Sequence, residues 1–218
     1  MVKQLLILGD SFCHGIGTAS VFKSSDNPQF AFGKYVAEHL GLEYCNIAEP
    51  GITILRTVEL GYNYLSKNKH LVDTVLIGWT MPGRLGLYSD TTMLQILPSY
   101  CLLGDSADDD VFVTYNNSVK FLTDKRNKDN LELLPKLHKL AVESDFFESQ
   151  LGLSLAIINC FRAWLEKENI KYLDFSVFGQ GSLMNTKLPV SFDNVMIPDR
   201  HPTKEEQKQM ANYLIKHL

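Results

Sequence analysis

Residues 3–15 read Lys-Gln-Leu-Leu-Ile-Leu-Gly-Asp-Ser-Phe-Cys-His-Gly, and this stretch decides the fold class. The run Leu5 to Leu8 has no polar alternation, so it predicts a strand buried on both faces. Gly9 and Asp10 stop it. Strands of this kind need helices on both sides of a parallel sheet, and the chain supplies them in alternation. Phe30 to Leu40 predicts a helix closed by Gly41, and Glu43 to Ile47 a second strand. Ile54 to Asn68 predicts a helix capped by Thr53, with Leu55, Val58, Tyr62 and Leu65 on one face. Asp73 to Trp79 contains Val75-Leu76-Ile77, a third buried strand.

From Leu131 to Glu168 the pattern is helical with breaks, with Leu151, Leu155, Ile158 and Leu165 at helical spacing. Ile170 to Val177 is a fourth strand, and a weak fifth signal lies between Leu188 and Ile197. Thr203 to Leu218 is the last helix, where Thr203 and Glu206 have capping-box spacing. Strands separated by helices imply an α/β fold, a three-layer α/β/α sandwich around a parallel sheet. Arg84 to Asn117 interrupts the rhythm with Pro98, Gly104 and Asp108-Asp109-Asp110. It reads as an insertion at about 84–117, carrying a hairpin, in a single domain of residues 1–218.

Composition sets the outer bounds. Of 218 residues, 45% are hydrophobic and 21% charged, which excludes a disordered or collagen-like chain. Lys plus Arg less Asp plus Glu is 21 − 25, or −4, and the cations are scattered apart from Lys120 to Lys128, which reads as a solvated loop. A nucleic-acid partner is therefore not expected. No stretch approaches the roughly eighteen apolar residues of a membrane span, so no membrane partner is expected either. Val2 and Lys3 lead straight into the first strand without a cleavage site, and the expected location is cytoplasmic. Cys13, Cys45, Cys101 and Cys160 form no CxxC pair and read as reduced thiols.

In a parallel sheet, ligands bind beyond the carboxyl ends of the strands. The loops there are 9–17, 48–53, 80–84 and the segment before the last helix, and they hold the best chemistry. Ser11 directly follows a buried strand and is flanked by glycines, which can present its hydroxyl at the sheet rim. It could equally be a simple helix cap. Gly9, Gly15 and Gly17 do not make G-x-G-x-x-G, and no P-loop occurs. Far along the chain, Pro198-Asp199-Arg200-His201-Pro202 offers an imidazole beside a carboxylate. A serine needs such a base to attack at neutral pH. His14 and Cys13 lie beside Ser11, but no third ligand at suitable spacing accompanies them, so no metal is expected.

These blocks together resemble the SGNH, or GDSL, hydrolase superfamily. Gly9-Asp10-Ser11 with Gly15 is similar to its first motif, and Asn46-Ile47-Ala48-Glu49-Pro50-Gly51 to its second. Asp199-Arg200-His201-Pro202 is similar to its last. The resemblance implies a flavodoxin-like sandwich and a cofactor-free serine esterase. It assigns Ser11 as nucleophile, His201 as general base and Asp199 as the supporting carboxylate, with the Ser11 and Gly51 N–H groups in the oxyanion hole. Two positions depart from the pattern. Pro198 stands where many relatives have the Asp, which here is two residues before the histidine. The third block usually reads Gly-x-Asn-Asp, whereas this chain has Gly78-Trp79-Thr80-Met81, so Thr80 stands where the oxyanion-donating Asn would be and is the expected third member of the oxyanion hole, donating through its shorter hydroxyl. Losing one such donor costs about 3–4 kcal/mol of transition-state stabilisation.

Asp10, Trp79 and Arg84 are candidate substrate contacts; Trp79 reads as either a substrate-facing ring or core, and Arg84 as either a cleft cation or a solvated loop residue. The resemblance implies a short acyl ester of a glycan or small-molecule alcohol as substrate. Acyl transfer to an alcohol uses the same chemistry. A non-catalytic binding module on the same fold is the rival from another class, with the altered third block in its favour. A short member with Gly-Trp-Thr in that block also looks similar to some phage-encoded relatives.

Overall fold

The computed structural model describes residues 2–15, 28–80, 82, 85–89, 92–97, 112–115, 146–177, 185–188 and 202–218. Four strands form one sheet: β1 (Gln4–Gly9), β2 (Glu43–Asn46), β3 (Val72–Trp79) and β7 (Lys171–Ser176), in the order β2-β1-β3-β7. Every pairing is parallel. The apolar runs of β1 and β3 are the two central strands, which explains their lack of polar alternation.

Alternation along these strands sorts the core into two faces. Leu5 and Ile7 of β1, Leu76 of β3, and Leu173 and Phe175 of β7 pack with α2 (Phe32–Leu40) and α5 (Lys204–Ile215), through Phe32, Val36, Met210, Ala211 and Leu214. On the opposite face Leu8 lies against α3 (Ile54–Asn68) and α4 (Phe146–Lys167), meeting Gly61 where Phe161 also approaches. The sheet therefore has helices on both sides, the α/β sandwich expected from the pattern.

Local signals act as read. Thr53 Oγ1 accepts from Arg56 N at 3.2 Å to cap α3. Thr203 and Glu206 form the reciprocal capping box of α5. Gly41 ends α2 in the left-handed conformation.

Two helix faces differ from expectation. In α3 the buried residues are Ile54, Thr57, Gly61 and Leu65, while Leu55 and Tyr62 are half exposed. The reason is close approach: a Cβ on Gly61 would fall on Leu8 Cδ1 and the Phe161 ring. The helix rides near the sheet on its small residues, so the apolar count misplaces its inner face. In α4 the buried positions are Ser154, Ile158, Phe161 and Leu165, with Leu151 and Leu155 only partly covered.

The chain forms two compact units, Met1–Met81 with Ile157–Leu218, and Pro82–Ala156. Within the second, β4 (Leu85–Ser89), β5 (Thr92–Leu97) and β6 (Phe112–Tyr115) make an antiparallel sheet in that order. Ser154 Oγ donates to the Pro82 carbonyl at 3.0 Å and joins the two chain ends of this unit. The unit runs beyond residue 117 and takes in the first turns of α4. Of the weak fifth strand, Leu188 makes one parallel bridge to Phe175, and residues 189–197 lie outside the described residues.

Candidate active site

Gly9 is the register point from which the site is built. It pairs with Gly78 of β3 on one side, and on the other its carbonyl accepts from Glu49 N at 3.1 Å. Two residues beyond each of these three positions stand Ser11, Thr80 and Gly51. The sheet thus sends the three sequence-assigned residues off the same rim. Gly51 turns there with φ +71°, and Gly9 leaves the strand at φ +144°, a region that side-chain-bearing residues rarely adopt.

Asp10 fixes the turn that follows. It is the N-cap of the short helix α1 (Ser11–His14), its Oδ1 accepting from Phe12 N at 3.0 Å. Its Oδ2 accepts the Thr80 hydroxyl at 3.1 Å. Asp10 and Thr80 are both fully buried, and Ser11 is 7% exposed. Among the described residues, the Ser11 hydroxyl and the N–H groups of Ser11 and Gly51 have no hydrogen-bond partner. Thr80 is different: its one hydroxyl hydrogen goes to Asp10 rather than toward the position of an oxyanion.

Cys13 sits against the same rim. Side chains added at Gly9 or Gly78 would fall on its sulfur, so the two glycines make the room it fills. Burial, and then the Asp10 charge, push the Cys13 thiol well above its ordinary value, against the opposing pull of hydrogen bonds with the Asp10 and Gly78 backbone. Thiolate is the attacking form of cysteine. Cys13 therefore stays a neutral packing group beside Ser11.

Two further side chains, missed in the sequence, tie this turn to the rest of the sheet. Asn46 at the end of β2 donates to the Cys13 carbonyl at 3.0 Å, one of the orphan acceptors at the end of α1, and its Oδ1 accepts from Ala48 N at 3.0 Å. Its place at a strand end, inside the second motif, was the available signal. Gln207 of α5 is fully buried and reaches across 195 positions to donate to the Phe12 carbonyl at 3.0 Å. Its Oε1 accepts from Phe32 N at 2.7 Å, serving α2, whose N-cap Ala31 provides no side-chain bond. A glutamine on a helix carries no sequence signal of such a role. Outside the turn, Arg56 of α3 pairs with Glu49 at 3.4 Å beside Gly51.

Trp79 belongs to the core. It is fully buried, meets Phe161 edge-on at 6.4 Å, and donates its indole N–H to Asp174 Oδ2 at 2.7 Å. The same oxygen accepts from Arg162 Nε at 2.8 Å and Nη2 at 2.6 Å, while Asp174 Oδ1 accepts from Lys187 N at 2.9 Å. Of the two readings open for Trp79, the structure takes the core one. Asp10, also a candidate substrate contact, is likewise enclosed and holds the turn. Arg84, Asp199 and His201 lie outside the described residues.

Among solved structures, the chain is similar to a protein of the G-D-S-L family from Desulfitobacterium hafniense DCB-2, with 11% identity, 99% of each chain covered and a TM-score of 0.40. It is similar to an acetyl xylan esterase from the rumen bacterium Butyrivibrio proteoclasticus, at 13% identity and a TM-score of 0.45, covering 99% of this chain and 63% of that one. A third is a family two carbohydrate esterase from Cellvibrio japonicus, at 16% identity and a TM-score of 0.43, covering 99% of this chain and 60% of that one. The chain thus spans less than two thirds of the length of these two carbohydrate esterases. No family model and no curated protein matches the sequence.

Proposed function

We propose that the protein is a serine hydrolase that removes a short acyl group, acetyl-like in size, from an oxygen of a glycan or small-molecule alcohol. The observation that carries this reading is the common register of Ser11, Gly51 and Thr80 beyond Gly9, Glu49 and Gly78. It brings the serine and the expected oxyanion N–H groups to one rim while the adjacent Cys13 is held neutral. In sequence His201 stands three residues before Lys204, the first residue of the helix whose Gln207 bonds the Phe12 carbonyl, and this short span supports reading it as the base.

In the proposed reaction Ser11 Oγ bonds to the acyl carbon as its proton passes to His201, which Asp199 supports. The N–H groups of Ser11 and Gly51 meet the charge that develops on the carbonyl oxygen. The ester C–O bond then breaks, and His201 returns the proton to the leaving alcohol. Water, deprotonated by the same imidazole, releases the acyl group and restores Ser11. No cofactor enters these steps.

The test is turnover of p-nitrophenyl acetate by wild type and Ser11→Ala. Wild type is expected to turn over with kcat/KM rising through the ordinary histidine range, near 6.5, and Ser11→Ala to fall to background. A folded Ser11→Ala that keeps the wild-type rate overturns the assignment.

A further inference from the structure

The ladder between β1 and β3 ends at the Gly9–Gly78 pair, yet a connection between the two strands' continuations reaches past it. Thr80 Oγ1 donates to one oxygen of Asp10, and the other oxygen of Asp10 accepts from Phe12 N. Ser11 lies between Asp10, the N-cap that carries this carboxylate, and Phe12, whose N–H it caps. We propose that Thr80 is a positioning residue that acts through Asp10: its hydroxyl sets the carboxylate, the carboxylate sets the Ser11 turn, and Thr80 itself does not touch the oxyanion. The proposal rests on the hydrolase reading above and assigns its third block a different task from donation.

The chemistry follows from the placement. Thr80 has one hydroxyl hydrogen, and a hydrogen bond to an ionised acceptor is among the stronger kinds. Both partners are fully buried, so water does not replace the bond when it is removed. Without it, Oδ2 loses that donor, and any rotation of the carboxylate also moves Oδ1 away from Phe12 N. The N–H and hydroxyl of Ser11 then lose their fixed direction.

A double-mutant cycle separates this from oxyanion donation. The readout is the second-order rate at which a fluorophosphonate labels Ser11, a step in which Oγ bonds to phosphorus, fluoride leaves and the proton passes to the base. Thr80→Val is expected to slow labelling and kcat roughly 10- to 100-fold with little change in KM. Thr80→Ser, which keeps the hydroxyl, recovers the rate to within about threefold of wild type. In an Asp10→Ser background the cap on Phe12 is kept by a shorter side chain that cannot also reach Thr80. There Thr80→Val is expected to cost less than about twofold. An oxyanion donor would still cost its full factor in that background, and that result overturns the proposal, as does a Thr80→Val as fast as wild type. If the Asp10→Ser protein fails to fold, Asp10→Ala, which also removes the acceptor of the Thr80 hydroxyl, takes its place in the cycle, and equal losses in Thr80→Ser and Thr80→Val refute a role for the hydroxyl. Wild type that is folded and never labelled at Ser11 overturns the hydrolase reading together with this one, whereas labelled wild type with an unaffected Thr80→Val refutes the strut alone.

Discussion

Replacing Gln207 by leucine removes a clamp that joins three segments far apart in the chain. The side chain is fully buried, so no water takes over its bonds to Phe12 O and Phe32 N. Leucine nearly conserves the volume, which limits any cavity cost. What remains is the loss of these two buried hydrogen bonds, each worth about 1–3 kcal/mol. The Phe32 N–H has the poorer alternatives, because Ala31 gives α2 no side-chain cap. The expected loss is therefore about 3 kcal/mol, or a fall in Tm on the order of 6–12 °C for a chain of this size. Urea unfolding followed by tryptophan fluorescence measures it cleanly. The chain has two tryptophans, Trp79 and Trp164, and both lie in the unit that contains Gln207. An unfolding free energy within about 0.5 kcal/mol of wild type at unchanged slope would refute the reasoning. Because the clamp holds the carbonyl next to Ser11, the proposed esterase activity should fall at temperatures where the variant is still folded.

Arg162→Met is expected to destabilise the fold by about 3–5 kcal/mol, since it leaves the fully buried Asp174 carboxylate without its cation; chemical denaturation showing less than 1 kcal/mol would contradict that pairing. Cys13 yields a pH prediction. Its folded pKa is raised above the ordinary 9.0, so its contribution to stability is fully present below that value and is lost as pH rises toward the folded one. The melting temperature should decline above pH 9, and less steeply in Cys13→Ala. In the native protein at pH 8, a thiol reagent should modify exposed Cys160 and spare Cys13 until unfolding; rapid labelling of native Cys13 would go against its burial.

The strands and caps were legible because their causes are local. Leu5 to Leu8 and Val75 to Ile77 are apolar without alternation because both faces of those strands are covered. Thr53, Thr203 and Glu206 act within one turn of where they stand. The inner face of α3 was not legible from apolar spacing, because Gly61 buries the helix through absence of a side chain, which leaves Leu55 and Tyr62 outside. At the site, Ser11 and Gly51 could be placed from strand ends alone, since register carries them to the rim. Thr80 reached the expected rim, but the partner of its hydroxyl depended on which way the Asp10 carboxylate turns. Gln207 and the cluster of Trp79, Arg162 and Asp174 were hidden for a different reason. Their bonds join residues as much as 195 positions apart, and a polar residue on a helix or strand reads the same whether it faces water or a buried carbonyl.

The most direct measurement of the central claim is to treat the folded wild-type protein with a fluorophosphonate and map the adduct by peptide mass spectrometry. One adduct per chain, on Ser11, lost in the unfolded protein, is the expected result. An adduct on another residue, or none from a folded protein that hydrolyses p-nitrophenyl acetate, would contradict the assignment of Ser11 as the nucleophile.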